Sequence, residues 1–389
     1  MISKRITELK PSPTLVLDSR VKQLMFSGIP VLSLTLGEPD FVTPKHIAKA
    51  GIEAIKRGFT HYTQSAGIPE LRQAICHKLI KENKIHYKPT EVIVGVGTKQ
   101  LLASAFQVLC EKEIEVIVPI PTWSTYIEQI KLSGAKPVLI PLKTPFKVTA
   151  EAIEKYISKK TKVLLLNSPA NPTGILIEKK ELRKIANLAI SKHIYVISDE
   201  IYEKILYQKK HYSIASFGKK IKDLTVTING FSKSYAMTGW RVGYAAGPEK
   251  IIQAMTSLAS QTTSGTCSIS QKAALAALTG NQSPVLKMVS KFKERRDLMI
   301  QGFSQIKEIS FTKPEGAFYL FINIKKLISG KYKTATQWSK ALLEKTQVAV
   351  VPGEAFYAPG YIRISFTSPI KDLKEAIKRI TKFIKEEKI

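Results

Sequence analysis

Lys233 lies in Asn229-Gly-Phe-Ser-Lys-Ser-Tyr-Ala-Met-Thr-Gly-Trp-Arg241, a small and hydroxylated setting just past the apolar run Leu224-Thr-Val-Thr-Ile228. A lysine with a fixed stem and a cation nearby has a lowered pKa, which makes it a candidate Schiff-base nucleophile. A plain surface lysine is the competing reading. Other residues could do chemistry too. Asp199 ends the run Tyr195-Val-Ile-Ser198, where a carboxylate can be a functional acid or only a helix cap. Gly97-Thr98-Lys99 follows Val92-Ile-Val-Gly-Val96, and a strand, glycine turn and helix start together form an anion site. Asn171 sits in Asn167-Ser-Pro-Ala-Asn-Pro-Thr-Gly174, which also reads as a tight turn. Arg363 is bracketed by Ile362 and Ile364, so it faces away from them, towards a ligand or towards solvent.

These residues need a scaffold. Val92–Val96, Glu115–Val118, Lys136–Ile140, Val163–Leu166, Tyr195–Ser198 and Leu224–Ile228 read as strands separated by helical segments. Val163-Leu-Leu-Leu166 is continuously apolar, as a strand buried on both faces should be. The alternation predicts a mostly parallel α/β sheet. Ligands of such sheets gather beyond the carboxyl ends of the strands. Thr98, Trp123, Asn167, Asn171, Asp199 and Lys233 all fall there. Upstream, Val31–Leu36 reads as a strand ending in the turn Gly37-Glu-Pro-Asp-Phe41, whose glycine lets a ligand approach the backbone. Helices are expected at 44–57, at 69–82 and from Gly97 through Leu109. Residues 249–302 read as mainly helical, a long link to a second unit. That unit is α+β, with strands Phe318–Ile322, Val348–Val351 and Tyr361–Ser365 and a last helix over 370–386.

Composition narrows the class. A chain of 389 residues suits about two domains. Its 44% hydrophobic and 23% charged residues are an ordinary globular balance. The net charge of +29 invites a nucleic-acid reading, but the lysines are scattered over the whole length and no nucleic-acid-binding motif accompanies them. A solvated lysine-rich surface, attractive to anionic substrates, is the expectation. Cys76, Cys110 and Cys267 are too few and too far apart for a disulfide framework or a metal site, and small buried apolar roles are expected for them. The N-terminus lacks an apolar signal core, and no run approaches the ~18 apolar residues of a membrane span. A reducing cytoplasm fits, with no membrane and no nucleic-acid partner.

Together, Leu36–Phe41, His61-Tyr62, Gly97-Thr-Lys-Gln100, Asn167–Gly174, Ser198–Tyr202, Ser232–Tyr244, Gly316-Ala-Phe-Tyr319, Val351-Pro-Gly353 and Arg363-Ile-Ser365 resemble the fold-type I pyridoxal-phosphate enzymes over essentially the whole chain. Within them the chain is most similar to class I aminotransferases of the bacterial aspartate aminotransferase subgroup. The resemblance implies a large cofactor-binding domain over 46–285 with a mostly parallel sheet, and a smaller α+β domain from 1–45 and 286–389. It implies pyridoxal 5′-phosphate as cofactor, its aldehyde carried by Lys233 and its ring nitrogen facing Asp199. Tyr202 and Asn171 would donate to its phenolic oxygen, and Trp123 would stack on its ring. Gly97, Thr98, Lys99, Ser232 and Arg241 would meet its phosphate, helped by Tyr62 of a neighbouring subunit, so a homodimer with shared active sites follows. Arg363 would clamp the substrate α-carboxylate beside Asn171 and the backbone of Gly37. Lys10 matches a lysine that some members use for a distal carboxylate, including that of prephenate; a solvated terminal lysine is the alternative. Ala170 and Thr122 stand where the family often has Asn and Tyr, and Glu111–Glu115 lacks its usual turn, which puts the pocket wall in question.

Aspartate with 2-oxoglutarate is the expected substrate pair, with prephenate as a second acceptor. Alanine or aromatic transamination is the alternative within the enzyme class. A non-catalytic regulator is the alternative outside it. Such regulators carry an added DNA-binding domain, whereas here the resemblance begins almost at Met1, and Lys233, Asp199 and Arg363 are intact.

Overall fold

The computed structural model of the chain describes residues 2–328 and 330–387. Its central sheet has seven strands. In spatial order they are Val92–Gly95, Gly243–Ala246, Thr225–Gly230, Tyr195–Asp199, Thr161–Asn167, Glu115–Ile120 and Lys136–Pro141. Gly243–Ala246 runs against both of its neighbours, and the other six share one direction.

Side chains alternate across each strand and so feed two separate cores. Val116, Val118, Val163 and Leu165 pack with Leu101, Phe106 and Met255 of the helices Gly97–Leu109 and Glu249–Thr262. Ile117, Leu164 and Leu166 face the other way, onto Leu182 and Ile185 of the helix Lys179–Lys192. Burial on both faces explains why these strands are apolar throughout.

The C-terminal region builds a smaller antiparallel sheet in the order Val351–Pro352, Tyr361–Ser365, Tyr319–Asn323, Ser310–Phe311. The helix Ile370–Glu386 covers it. Its Leu373, Ala376, Ile380 and Phe383 recur at helical spacing and are buried. A short parallel pairing of Leu32–Ser33 with Val348–Ala349 draws the N-terminal segment into the same region.

Several elements differ from the sequence-based expectation. Only Leu32–Ser33 of Val31–Leu36 is a strand. Beyond it the backbone is taken up elsewhere: the Leu34 carbonyl accepts from the Ser365 amide at 2.9 Å and the Thr35 carbonyl from Arg363 at 2.7 Å. Val348–Val351 splits at Val350, one half pairing with Leu32–Ser33 and the other with Tyr361–Ser365. Residues 249–302 form not one link but three helices, Glu249–Thr262, Ser268–Thr279 and Ser283–Phe303. The breaks fall at Ser264, which has positive φ, and at Gly280. The strand Gly243–Ala246 is an addition to the expected set. Cys76 and Cys110 are buried as expected, but Cys267 is exposed at the start of a helix. Among the described residues no helix is long and apolar enough to cross a membrane.

Candidate active site

A cavity of about 500 Å³ opens beyond the carboxyl ends of the parallel strands. Strand ends deliver Asp199, Ser232 and Lys233 to it, and the turn after Thr161–Asn167 delivers Asn171. Thr98 and Lys99 come from the first turn of the helix Gly97–Leu109, Trp123 and Tyr126 from the start of the helix Ser124–Leu132, and Tyr319 and Arg363 from the small sheet. Thr14, Leu15, Asp18 and Lys22 of the helix Pro13–Phe26 close one side.

The Lys233 ammonium donates to the Gly37 carbonyl at 2.6 Å. Burial lowers its pKa to about 8; Arg241 and Arg363 push the same way, while Glu38 and Asp199 oppose. Asp199 is 2% exposed. Its Oδ2 accepts the Tyr126 hydroxyl at 2.7 Å and its Oδ1 the Ile201 amide at 3.2 Å. Burial raises its pKa to about 6 despite those two bonds. A carboxylate so placed, with its charge only partly compensated, favours a cationic or proton-bearing partner in the cavity. Residues 201–204 form a turn rather than a helix, so Asp199 caps no helix.

The opposite end of the cavity is made for an anion. Gly97 has φ +75°, and a Cβ there would fall 2.8 Å from Nη2 of Arg241. Arg241 itself takes the left-handed conformation at φ 52°, a strained choice for a non-glycine residue, and donates to the Thr238 carbonyl at 3.0 Å. Burial and the charge of Arg241 lower the pKa of Lys99. The Lys99 amine also lies 4.9 Å from the Trp123 ring centroid. Cations crowded at a helix N-terminus call for a negative group.

Arg363 is 2% exposed, and protein partners take only two of its five N–H donors among the described residues. It donates to the Asn171 side chain at 3.0 Å and to the Thr35 carbonyl at 2.7 Å, while its buried Nε has no partner. Tyr319 and Phe356 flank its guanidinium, at 4.3 and 4.8 Å from their ring centroids. With no carboxylate paired to it among the described residues and donor capacity left over, it suits an incoming carboxylate.

The structure thus brings Gly37, Thr98, Lys99, Trp123, Asn171, Asp199, Tyr202, Ser232, Lys233, Arg241 and Arg363 around one cavity, with Gly97 beneath Arg241. Two expected residues stand apart. Tyr62 is 94% exposed on the surface. Lys10 borders a neighbouring depression with Glu128 and Glu354, its amide bonded to Glu128 at 3.2 Å. Sequence reasoning missed Tyr126 and Glu38, gave no role to Tyr319, and did not see the helix Pro13–Phe26 as a wall. Tyr126 sits in the first turn of the helix that Trp123 immediately precedes, and the two rings meet edge to face with centroids 5.3 Å apart.

The profile of the family described as aminotransferase class I and II matches residues 29–380. Over 389 residues the chain is 43% identical to an aspartate aminotransferase of Bacillus sp. (strain YM-2), covering 99% of each chain. It is equally similar to a probable aspartate/prephenate aminotransferase of Aquifex aeolicus, 43% identical with 99% of each covered. Among solved structures, the aspartate aminotransferase of Thermus thermophilus with maleate superposes with a TM-score of 0.93 at 37% identity, covering 98% of this chain and 99% of that one. That of Rhizobium meliloti superposes with a TM-score of 0.95 at 38% identity, with 99% of both covered.

Proposed function

Because the chain belongs to the class I and II aminotransferase family, we propose that it moves the amino group of L-aspartate to 2-oxoglutarate, using pyridoxal 5′-phosphate held in this cavity. One observation carries the reading: Asp199, the segment holding Lys233 and Arg241, and Arg363 converge on a single cavity from three separate stretches of chain.

The residues suit that cofactor. Gly97 leaves room where any side chain would press on Arg241, and Thr98, Ser232 and Arg241 supply phosphate donors. Asp199 would hold a proton on the ring nitrogen, Tyr202 and Asn171 would donate to the phenolic oxygen, and Trp123 would cover one ring face. Bound there, pyridoxal phosphate supplies an aldehyde for amine exchange and a protonated ring that takes up the charge left at the substrate Cα. Arg363 pairs with the substrate α-carboxylate and fixes its orientation. Lys233, with its lowered pKa, is a free base in a useful fraction near neutral pH and can take and return the Cα proton. The enclosing helix Pro13–Phe26 keeps bulk water from part of the cavity.

Tyr62, exposed on an isolated chain, would complete the phosphate site of a second subunit, so the working form is a homodimer. Three free cysteines suit a reducing cytoplasm. Prephenate as a second acceptor finds support in the name of the Aquifex aeolicus relative. Selective loss of prephenate turnover in Lys10→Ala would support a distal-carboxylate role for Lys10, and indifference would remove it.

The deciding experiment is an assay of aspartate, alanine, tyrosine and glutamate against 2-oxoglutarate, oxaloacetate and prephenate. Fastest turnover of aspartate with 2-oxoglutarate is expected. Wild-type rates in Lys233→Ala would overturn the mechanism.

A further inference from the structure

Tyr319, in the string Gly316-Ala-Phe-Tyr319, has no part in the reaction described so far, yet it borders the cavity and is 1% exposed. Its hydroxyl lies 2.8 Å from that of Tyr202. Its ring carries the Arg363 guanidinium at 4.3 Å. Strand register explains the second contact. Tyr319 pairs with Ser365 and Phe321 with Arg363, which puts Tyr319 diagonally beside Arg363 on one face of the small sheet. The backbone leaves the hydroxyl its space, since a Cβ on Gly37 would come within 3.0 Å of it.

A phenol has one hydrogen to donate. Two facing hydroxyls therefore make one donor bond, and only the accepting one keeps its hydrogen free for another partner. If Tyr202 donated to Tyr319, it would have nothing left to offer into the cavity. We infer that Tyr319 is a positioning residue: its hydroxyl donates to Tyr202, turning the Tyr202 hydrogen towards the cofactor's phenolic oxygen, while its ring holds the plane of Arg363. One side chain thereby sets the geometry at both the cofactor and the substrate carboxylate. The inference rests on reading the cavity as a pyridoxal-phosphate pocket.

The two roles separate by substitution. Tyr319→Phe keeps the ring and loses the hydroxyl, whereas Tyr319→Leu loses both. The test titrates pyridoxal phosphate into cofactor-free wild type, Tyr319→Phe, Tyr202→Phe and the double variant, then titrates maleate, an unreactive dicarboxylate, into each loaded protein. Tyr319→Phe should bind the cofactor roughly two- to tenfold more weakly, the scale of one lost neutral hydrogen bond. It should raise the pH midpoint of the bound chromophore's visible absorption, because the phenolic anion loses its oriented donor. It should add little to Tyr202→Phe, since it acts through that residue. Its maleate affinity should stay within about twofold of wild type, which also reports an intact fold, while Tyr319→Leu should weaken maleate binding several-fold through the lost cation–π contact. An unchanged midpoint and cofactor affinity in Tyr319→Phe, or fully additive effects of the two phenylalanines, would overturn the inference. Failure of the underlying reading looks different: wild type itself would then bind no pyridoxal phosphate.

Discussion

Arg241 lies against Gly97 so closely that a single added methyl would sit 2.8 Å from its Nη2. The glycine is also at φ +75°, where an L side chain is strained whatever the space. Gly97→Ala should therefore displace the arginine and weaken pyridoxal-phosphate binding at least tenfold, roughly the effect of losing one charge-assisted hydrogen bond. Equilibrium titration of cofactor-free protein checks this, and pyridoxal without its phosphate should show a much smaller difference.

Arg363 donates in two directions and stacks between two rings, a geometry that a lysine cannot reproduce. Arg363→Lys should raise the half-saturating concentration of aspartate and 2-oxoglutarate by roughly 10- to 100-fold, from the loss of a bidentate charged pair. Steady-state kinetics with the cofactor saturating reads the change. Cofactor affinity should move far less.

The amine of Lys233 has its pKa lowered to about 8 by burial, with Arg241 and Arg363 adding to the effect. Its neutral, nucleophilic fraction therefore grows with pH and levels off above about 8. The rate at which cofactor-free protein captures pyridoxal phosphate should rise about tenfold per unit below that pH and flatten beyond it, as absorbance measurements would show. Glu38 opposes the lowering, so Glu38→Gln should move the plateau to lower pH. A rate still climbing steeply past pH 10 would mean an ordinary lysine.

Away from the cavity, Lys78 and Glu203 form an ion pair buried inside the protein, with Asn83 donating to Glu203 at 2.7 Å. Burial alone would raise the Glu203 pKa, but Lys78, His211 and Asn83 hold it down to about 2. An unfolded glutamate titrates near 4.3. The depressed value therefore stabilises the fold above that pH, and the contribution is lost as pH falls towards about 2. Lys78→Met should cost about 3–5 kcal/mol in chemical denaturation at neutral pH, because a buried carboxylate is left without its cation. Adding Glu203→Gln should recover part of the loss.

Much of the site is legible from sequence because its members lie where strands give way to turns, and short apolar runs mark those points. Asp199, Lys233 and Asn171 are found that way, and the family resemblance assigns their partners. Tyr126 is less visible: nothing in its type says that its hydroxyl turns to Asp199, and its helix covers a buried face. Lys78 is harder still. A lysine on a helix reads as solvent-facing until Glu203, remote in sequence, closes over it. The strand Gly243–Ala246 has no β-branched residue, and only burial between two neighbours makes it a strand. Val348–Val351 is read correctly as extended, yet no local pattern shows that its halves serve different sheets.

The bond from Arg363 to the Thr35 carbonyl joins residues 328 positions apart, and the pairing of Leu32–Ser33 with Val348–Ala349 ties the same two regions. During synthesis the bond between Arg363 and Thr35 therefore cannot form until nearly the whole polypeptide has been made. A nascent chain that already carries Lys233 and Arg241 still lacks Arg363 and the small-sheet strand that holds it.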